Sequence, residues 1–198
     1  MELSMAQRLI ILIVFYLPSY HLLAQQYKTG YFITADEKKV KGIIKYKSTE
    51  YGFMTTTESV PGQIKFKPDG EKKAIKLSAN EIRGFVAGKD SFAIIRNIRI
   101  SESQYFKRDF ARVTKLGRIN LYVHYSQLPT GRFGVSVKQV YVLVKEKEEV
   151  SCIYNRYQKA ELSMLIADWP ELVAQIEKDW NWMEKIPDLV EQYNQHFQ

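Results

Sequence analysis

The octapeptide VKGIIKYK, residues 40 to 47, alternates. In an extended chain Val40, Gly42, Ile44 and Tyr46 fall on one face and Lys41, Ile43, Lys45 and Lys47 on the other, because successive side chains of a strand point to opposite sides. A period of two is the wrong spacing for a helix stripe and calls for a sheet with one face on a core and one in water. The pattern returns in Gln63 to Lys67 and in Ala74 to Leu77. Between them Pro68, Asp69 and Gly70 supply turn chemistry, which predicts a hairpin. Ser78 and Glu81 have the spacing of a capping box and predict a single helical turn before strand character resumes at Ile82 to Val86. Gly88, Lys89 and Asp90 then turn the chain into Ser91 to Ile95.

Further on, Phe106, Phe110 and Val113 fit a short helix face as well as a strand, whereas Arg118 to Tyr125 alternates cleanly, with Ile119, Leu121, Val123 and Tyr125 on one side. Gln127 to Gly134, which contains Pro129, Gly131 and Gly134, reads as a loop, and Lys138 to Lys145 as another strand. After about Arg156 the period changes. Leu162, Leu165 and Ile166 make a helical face. Asp168 stands at an N-cap position, with Pro170 in the first turn and Glu171 three residues on, ahead of a helix carrying Leu172, Val173, Ile176 and Trp180. A last helix starts near Pro187 and carries Leu189, Val190, Tyr193 and Phe197. Each helix is too short to stand alone, so all are expected to pack on one another or on the strands. The expected fold class is α+β: an antiparallel β-barrel or sandwich-like body over residues 25–155, followed by a small C-terminal helical segment, 156–198, packed on the body.

Residues 1–24 are expected to be a signal peptide. The apolar run Leu9 to Leu17 is about half the length of a spanning helix. Arg8 gives a positive start, Pro18 breaks the run, and Leu22-Leu23-Ala24 offers a cleavage site that leaves Gln25 as the new N-terminus. An uncleaved anchor reaching Leu23 is the competing reading, opposed by Pro18, Ser19 and His21. No transmembrane span is expected after leader removal. Cys152 is the one cysteine, so an exported chain of this sequence holds together by packing rather than by an internal disulfide. Its neighbours Val150, Ile153 and Tyr154 make it a small buried hydrophobe rather than a reactive thiol.

The net charge of +7 is unevenly spread. Residues 25–145 hold 23 basic and 10 acidic side chains, residues 146–198 hold 5 and 11, so a basic body carries an acidic tail.

Several segments taken together carry a resemblance: GYFITADEKKVKGIIKY, GFVAGKDSFAII, KLGRINLYVHY, ADWPELVAQI and IPDLVEQYN. Their order resembles that of an exported cell-envelope protein family of Bacteroidota with no established activity. There a leader ending in Ala-Gln precedes a strand, a turn and a G-x-I strand, a Gly-initiated Leu-Tyr strand lies mid-chain, and a helical tail ends near Tyr-Asn. The resemblance implies the envelope of a Gram-negative bacterium, in the periplasm or outside the cell, with association with the outer membrane as one arrangement. It implies no reaction.

The side chains that bear chemistry are few. Beyond the leader there are two histidines, His124 and His196, too few for a multi-histidine metal site and thin support for a nucleophilic triad. His124 shares its strand face with Asn120 and Tyr122, a solvated or half-buried setting. Glu148, Glu149 and Glu58 would need to converge across a substrate to act as an acid/base pair, and adjacency in sequence does not place them so. The glycines are scattered singly at turns, so no phosphate loop and no nucleotide cofactor is expected. No catalytic residue, metal or cofactor is therefore assigned.

What remains is cationic. Lys41, Lys45 and Lys47 on one strand, Lys65 and Lys67 on a second and Lys76 on a third would form an anion-binding face if the strands align, with Tyr31, Tyr46, Tyr51 and Phe66 interleaved as stacking surface. The competing reading is a solvated face whose lysines block unwanted strand pairing. Trp169, Trp180 and Trp182 are expected to pack on the body rather than to form a sugar platform. The sequence thus points to a non-enzymatic binding or scaffold module of the envelope. Its expected partner is an envelope protein or an anionic glycan or lipid headgroup, with nucleic acid not expected. The alternative is a hydrolase of an envelope polymer or lipid whose carboxylates meet only in the fold. Convergent acids in a deep pocket would favour the enzyme, and a shallow lysine and tyrosine surface the binder.

Overall fold

A computed structural model describes residues 28–46, 62–101, 104–130, 134–146 and 149–198. The expected signal peptide, Lys47, Tyr51, Glu58 and Glu148 lie outside the described residues. The class is α+β. Among the described residues ten strands form one antiparallel sheet and three short helices follow. The strands are β1 (Lys28–Thr34), β2 (Lys39–Lys45), β3 (Gln63–Pro68), β4 (Ile75–Ser78), β5 (Ile82–Ala87), β6 (Asp90–Ser101), β7 (Gln104–Lys115), β8 (Ile119–Thr130), β9 (Gly134–Lys145) and β10 (Glu149–Ile153). The helices are α1 (Lys159–Leu165), α2 (Pro170–Lys178) and α3 (Ile186–His196). In space the strand order is β10-β9-β8-β7-β6-β5-β1-β2-β3-β4, an open sheet with β10 and β4 at its edges.

Strands consecutive in sequence are neighbours in the sheet except β4 and β5, because β1 inserts beside β5 and leaves β4 at the far edge. The turn between β3 and β4 is built as the sequence suggests. Gly70 takes φ +83, a value open to glycine, and the Glu71 N–H donates to the Pro68 carbonyl. Ser78 to Glu81 is a turn rather than a helical one. The Glu81 carboxylate accepts from the Ser78 N–H at 2.7 Å, one half of a capping box, and from the Ser78 hydroxyl at 2.6 Å, and the chain at once enters β5 instead of adding helical turns.

One open reading is settled and one expectation is corrected. The stretch from Phe106 to Val113 is strand throughout, because β7 pairs with β6 along nearly its whole length. The expected loop from Gln127 to Gly134 is also largely strand: β8 runs to Thr130 and β9 starts at Gly134, with Pro129 opposite Val135. Pro129 lies beyond Val123, where the described β7–β8 ladder stops, in the stretch of β8 that pairs with β9.

Three cores result. Phe32, Ile44, Phe66, Phe85, Phe92 and Phe110 close one face of the β1–β3 and β5–β7 region. Their rings pack edge-on and stacked, as in Phe32–Phe66 at 4.7 Å and Phe85–Phe92 at 4.4 Å between centroids. The long strands bend so that β6 approaches β10, and Ile95, Ile98 and Ile100 of β6 meet Val140 and Val142 of β9 in a second core. The opposite face of β8 to β10 supplies Ile119, Leu121, Leu143 and Ile153 to the third, which the helices complete with Leu162, Leu165, Leu172, Ile176 and Leu189.

The helical end is fastened by polar contacts. Asn194 of α3 accepts from the Ile119 N–H at 2.8 Å and donates to the Ile119 carbonyl at 2.9 Å, standing in for a neighbouring strand at the start of β8. Gly117 allows this, since a Cβ there would lie 2.5 Å from the Asn194 amide. Asp168 is not the N-cap of α2. Trp169 holds that position without a side-chain bond. The Asp168 carboxylate is engaged instead by Lys145 at 3.1 Å, Arg118 at 3.1 Å and the Tyr193 hydroxyl at 2.8 Å.

Candidate functional site

The predicted lysine face is assembled by register. Lys45 of β2 stands opposite Lys65 of β3, and Lys65 opposite Lys76 of β4, so three ammonium groups form one row across three adjacent strands. In the neighbouring row Lys67 faces Ile43, and Lys41 lies two residues along β2 on the same side. Strand neighbours are about 5 Å apart, close enough for these side chains to share a ligand. Lys41, Lys67 and Lys76 are exposed, Lys45 and Lys65 half-buried. The same face continues on β1, where Tyr31 pairs with Lys41 and the Lys39 ammonium lies 5.0 Å from the Tyr31 ring centroid.

The expected aromatic interleaving is largely not there. Phe66 is fully buried and packs on Phe32. Tyr46 points to the same inner side, with its ring 5.1 Å from Phe85 and 4.7 Å from Phe92. Burial pushes its phenol pKa up, helped by the Asp109 and Tyr125 charges nearby. Strand parity is the cause, since Phe66 is one residue from Lys65 and Lys67 and so turns away from them. Tyr31 is the aromatic on the described part of the lysine face. Surface charge without stacking suits a flexible anionic surface better than a defined ring.

The side chains weighed as catalytic are placed as follows. His124 is not solvated: it is 4% exposed, with Nε2 2.9 Å from the Asp109 carboxylate, which is itself buried. The Phe110 N–H donates to the other Asp109 oxygen at 2.7 Å, and the His124 ring lies 5.1 Å from Phe106. With Val140 opposite His124 and Ile95 opposite Asp109, the pair is a buried core element. His196 stacks on Trp169 at 4.1 Å. Cys152 is half-buried against Val140 and Val142, and burial pushes its thiol pKa up to about 11. Glu149 lies in β10. Among the described residues no group of three or more His, Cys, Asp or Glu side chains is placed to hold a metal ion, and no helix is long and apolar enough to cross a membrane. Of the tryptophans, Trp182 is fully buried and Trp169 half-buried, whereas Trp180 is 76% exposed beneath the Arg156 guanidinium, 5.4 Å from the ring centroid.

A second basic feature is absent from any reading of the sequence. The β5–β6 ladder runs from Ala87↔Asp90 to Gly84↔Ala93, whereas β6 continues along β7 to Ser101. Where β5 and β6 part there is an open cleft of about 430 Å³, lined by Arg83 of β5, Arg96 of β6 and Arg108 of β7, with Asn80 and Glu81 at its side. Among the described residues Glu81 is the acidic member of the lining, and the bonds from Ser78 hold its carboxyl below the usual range. No signal in the sequence marks these arginines as a group, because they are brought together by register and by a strand divergence. Comparison with protein-family models, curated proteins and solved structures finds no match to this chain.

Proposed function

We propose that the protein is an exported, non-enzymatic binding module of the bacterial cell envelope, whose lysine-bearing sheet face holds an anionic glycan or lipid surface. The observation that carries this reading is the Lys45–Lys65–Lys76 row, with Lys41 and Lys67 beside it. Ammonium groups gathered on one sheet face, with Lys41, Lys67 and Lys76 exposed, attract an acidic surface. The hydrolase alternative asks for carboxylates converging in a pocket. The described cleft offers Glu81, whose carboxylate is engaged by Ser78, and this favours the binder. Location is tested by fractionating cells that express a C-terminally tagged copy, followed by crosslinking and mass spectrometry of what co-purifies. Recovery in the envelope fraction, processed after Ala24 and crosslinked to an acidic surface component, is expected. An intact, unprocessed chain in the cytosol would refute the export half of the proposal.

A further inference from the structure

The cleft between β5 and β6 differs in kind from the lysine face. Arg96 and Arg108 are direct cross-strand partners, two guanidinium groups side by side where opposite charges would favour pairing, and Arg83 reaches the same cavity from the diverging strand. Each of the three is held differently. Arg83 is ion-paired with Glu37 of the β1–β2 turn, with both side chains largely exposed. Arg108 donates to the Asn80 side chain at a long 3.4 Å. Arg96 meets no carboxylate among the described residues. Among the described residues the lining thus presents three arginines, one of them shared with Glu37, and Glu81 as its acidic member.

We infer that this cleft is a binding site for a phosphoryl group, carried by a small phosphate monoester or by a lipid headgroup. Guanidinium forks match the oxygens of a phosphate in bidentate fashion, and arginine is the residue that such planar recognition uses. The volume falls within the range of small-molecule sites and exceeds what a bare phosphate fills, leaving room for a glycerol or sugar moiety. The ligand displaces Glu37 from Arg83 and takes over its role. The site stands independently of the lysine face, because it needs none of the residues on β2, β3 or β4.

The test is calorimetric titration of the whole chain with inorganic phosphate and with glycerol 3-phosphate, with chloride as the control anion. Saturable binding of one ligand per chain is expected. Arg96→Gln should weaken it by about tenfold or more, the loss of a charge-assisted contact, and Arg96→Gln with Arg108→Gln further. Arg96 is exposed and unpaired with acid, so its replacement leaves the fold intact, which a melting curve verifies. Glu37→Gln should tighten binding, an effect in the opposite direction that misfolding cannot imitate. Lys41→Gln/Lys67→Gln/Lys76→Gln should leave phosphate affinity unchanged. Flotation on phosphatidylcholine vesicles with and without phosphatidic acid separates the two sources. Floating that glycerol 3-phosphate reverses assigns a lipid headgroup, and solution binding without floating assigns a soluble phosphate. Absence of saturable phosphate binding, or binding indifferent to both Arg96→Gln and Glu37→Gln, overturns the inference, as does binding lost only in the lysine variant.

Discussion

At the scale of single residues, an environment is set by what folds over a side chain, and that is where sequence reasoning succeeds or fails. Cys152 shows the first case. Its apolar neighbours in sequence announce a packed thiol, and β10 pairs it with Val142 in the second core. With the pKa raised to about 11 by burial, the thiol is protonated at neutral pH and shielded. A thiol-reactive dye at pH 8 is accordingly expected to label the native chain far more slowly than the urea-unfolded chain, and equal rates would show that Cys152 is exposed. His124 shows the second case. Its face also carries Asn120 and Tyr122, which reads as polar, yet its cross-strand partner Val140 and the Phe106 ring beside it belong to the second core, to which β6 brings Ile98 and Ile100 from more than twenty residues earlier. No local pattern reports a contact of that range.

At the scale of elements, the alternating segments were legible where turns bounded them. β2, β3, β4 and β5 start and stop close to the expected positions because Pro68, Gly70 and Gly88 punctuate them. The extents of β7, β8 and β9 were not, since Pro129 and the glycines read as loop and only long-range pairing keeps them in strand. Helix attachment rests on groups the sequence pointed to for other reasons. Asn194→Ala leaves the buried Ile119 N–H and carbonyl without partners and should cost about 1–3 kcal/mol, read as a fall in urea midpoint with an unchanged slope. Gly117→Ala should act in the same direction, because its Cβ would displace Asn194. Asp168, expected as a cap, serves as a hub. Burial alone would raise its pKa, but the Tyr193 hydrogen bond and the Lys145 and Arg118 charges hold it below the usual carboxylate range. A depressed folded pKa contributes stability that is present above the unfolded value and is lost as the pH falls through the folded one. Asp168→Asn should therefore be less stable than the wild type at neutral pH, and the gap should close on acidification. A gap that widens as the pH falls would contradict the assigned network.

At the scale of the whole molecule, the α+β class and the change from strands to helices near Arg156 were readable from the switch in hydrophobic period. The spatial order was not, because inserting β1 between β5 and β2 depends on pairings some fifty residues apart. That insertion places β2, β3 and β4 together at one edge of the sheet, and with them the lysines. At the far edge of this group the four-residue β4 bears Lys76, which also discourages pairing with another chain, so a charged edge and the proposed binding face coincide. The arginine cleft arises at the same scale, from the divergence of two strands that a hairpin joins. The most direct measurement of the central claim is equilibrium binding of the wild-type chain and of Lys41→Gln/Lys67→Gln/Lys76→Gln to dextran sulfate over a salt series, with neutral dextran as control. Wild-type binding that weakens steeply with salt, and is reduced roughly tenfold at low salt in the variant with no change in melting temperature, is predicted. Equal binding by the two proteins, or none to the anionic polymer, would contradict the lysine face as the site of function.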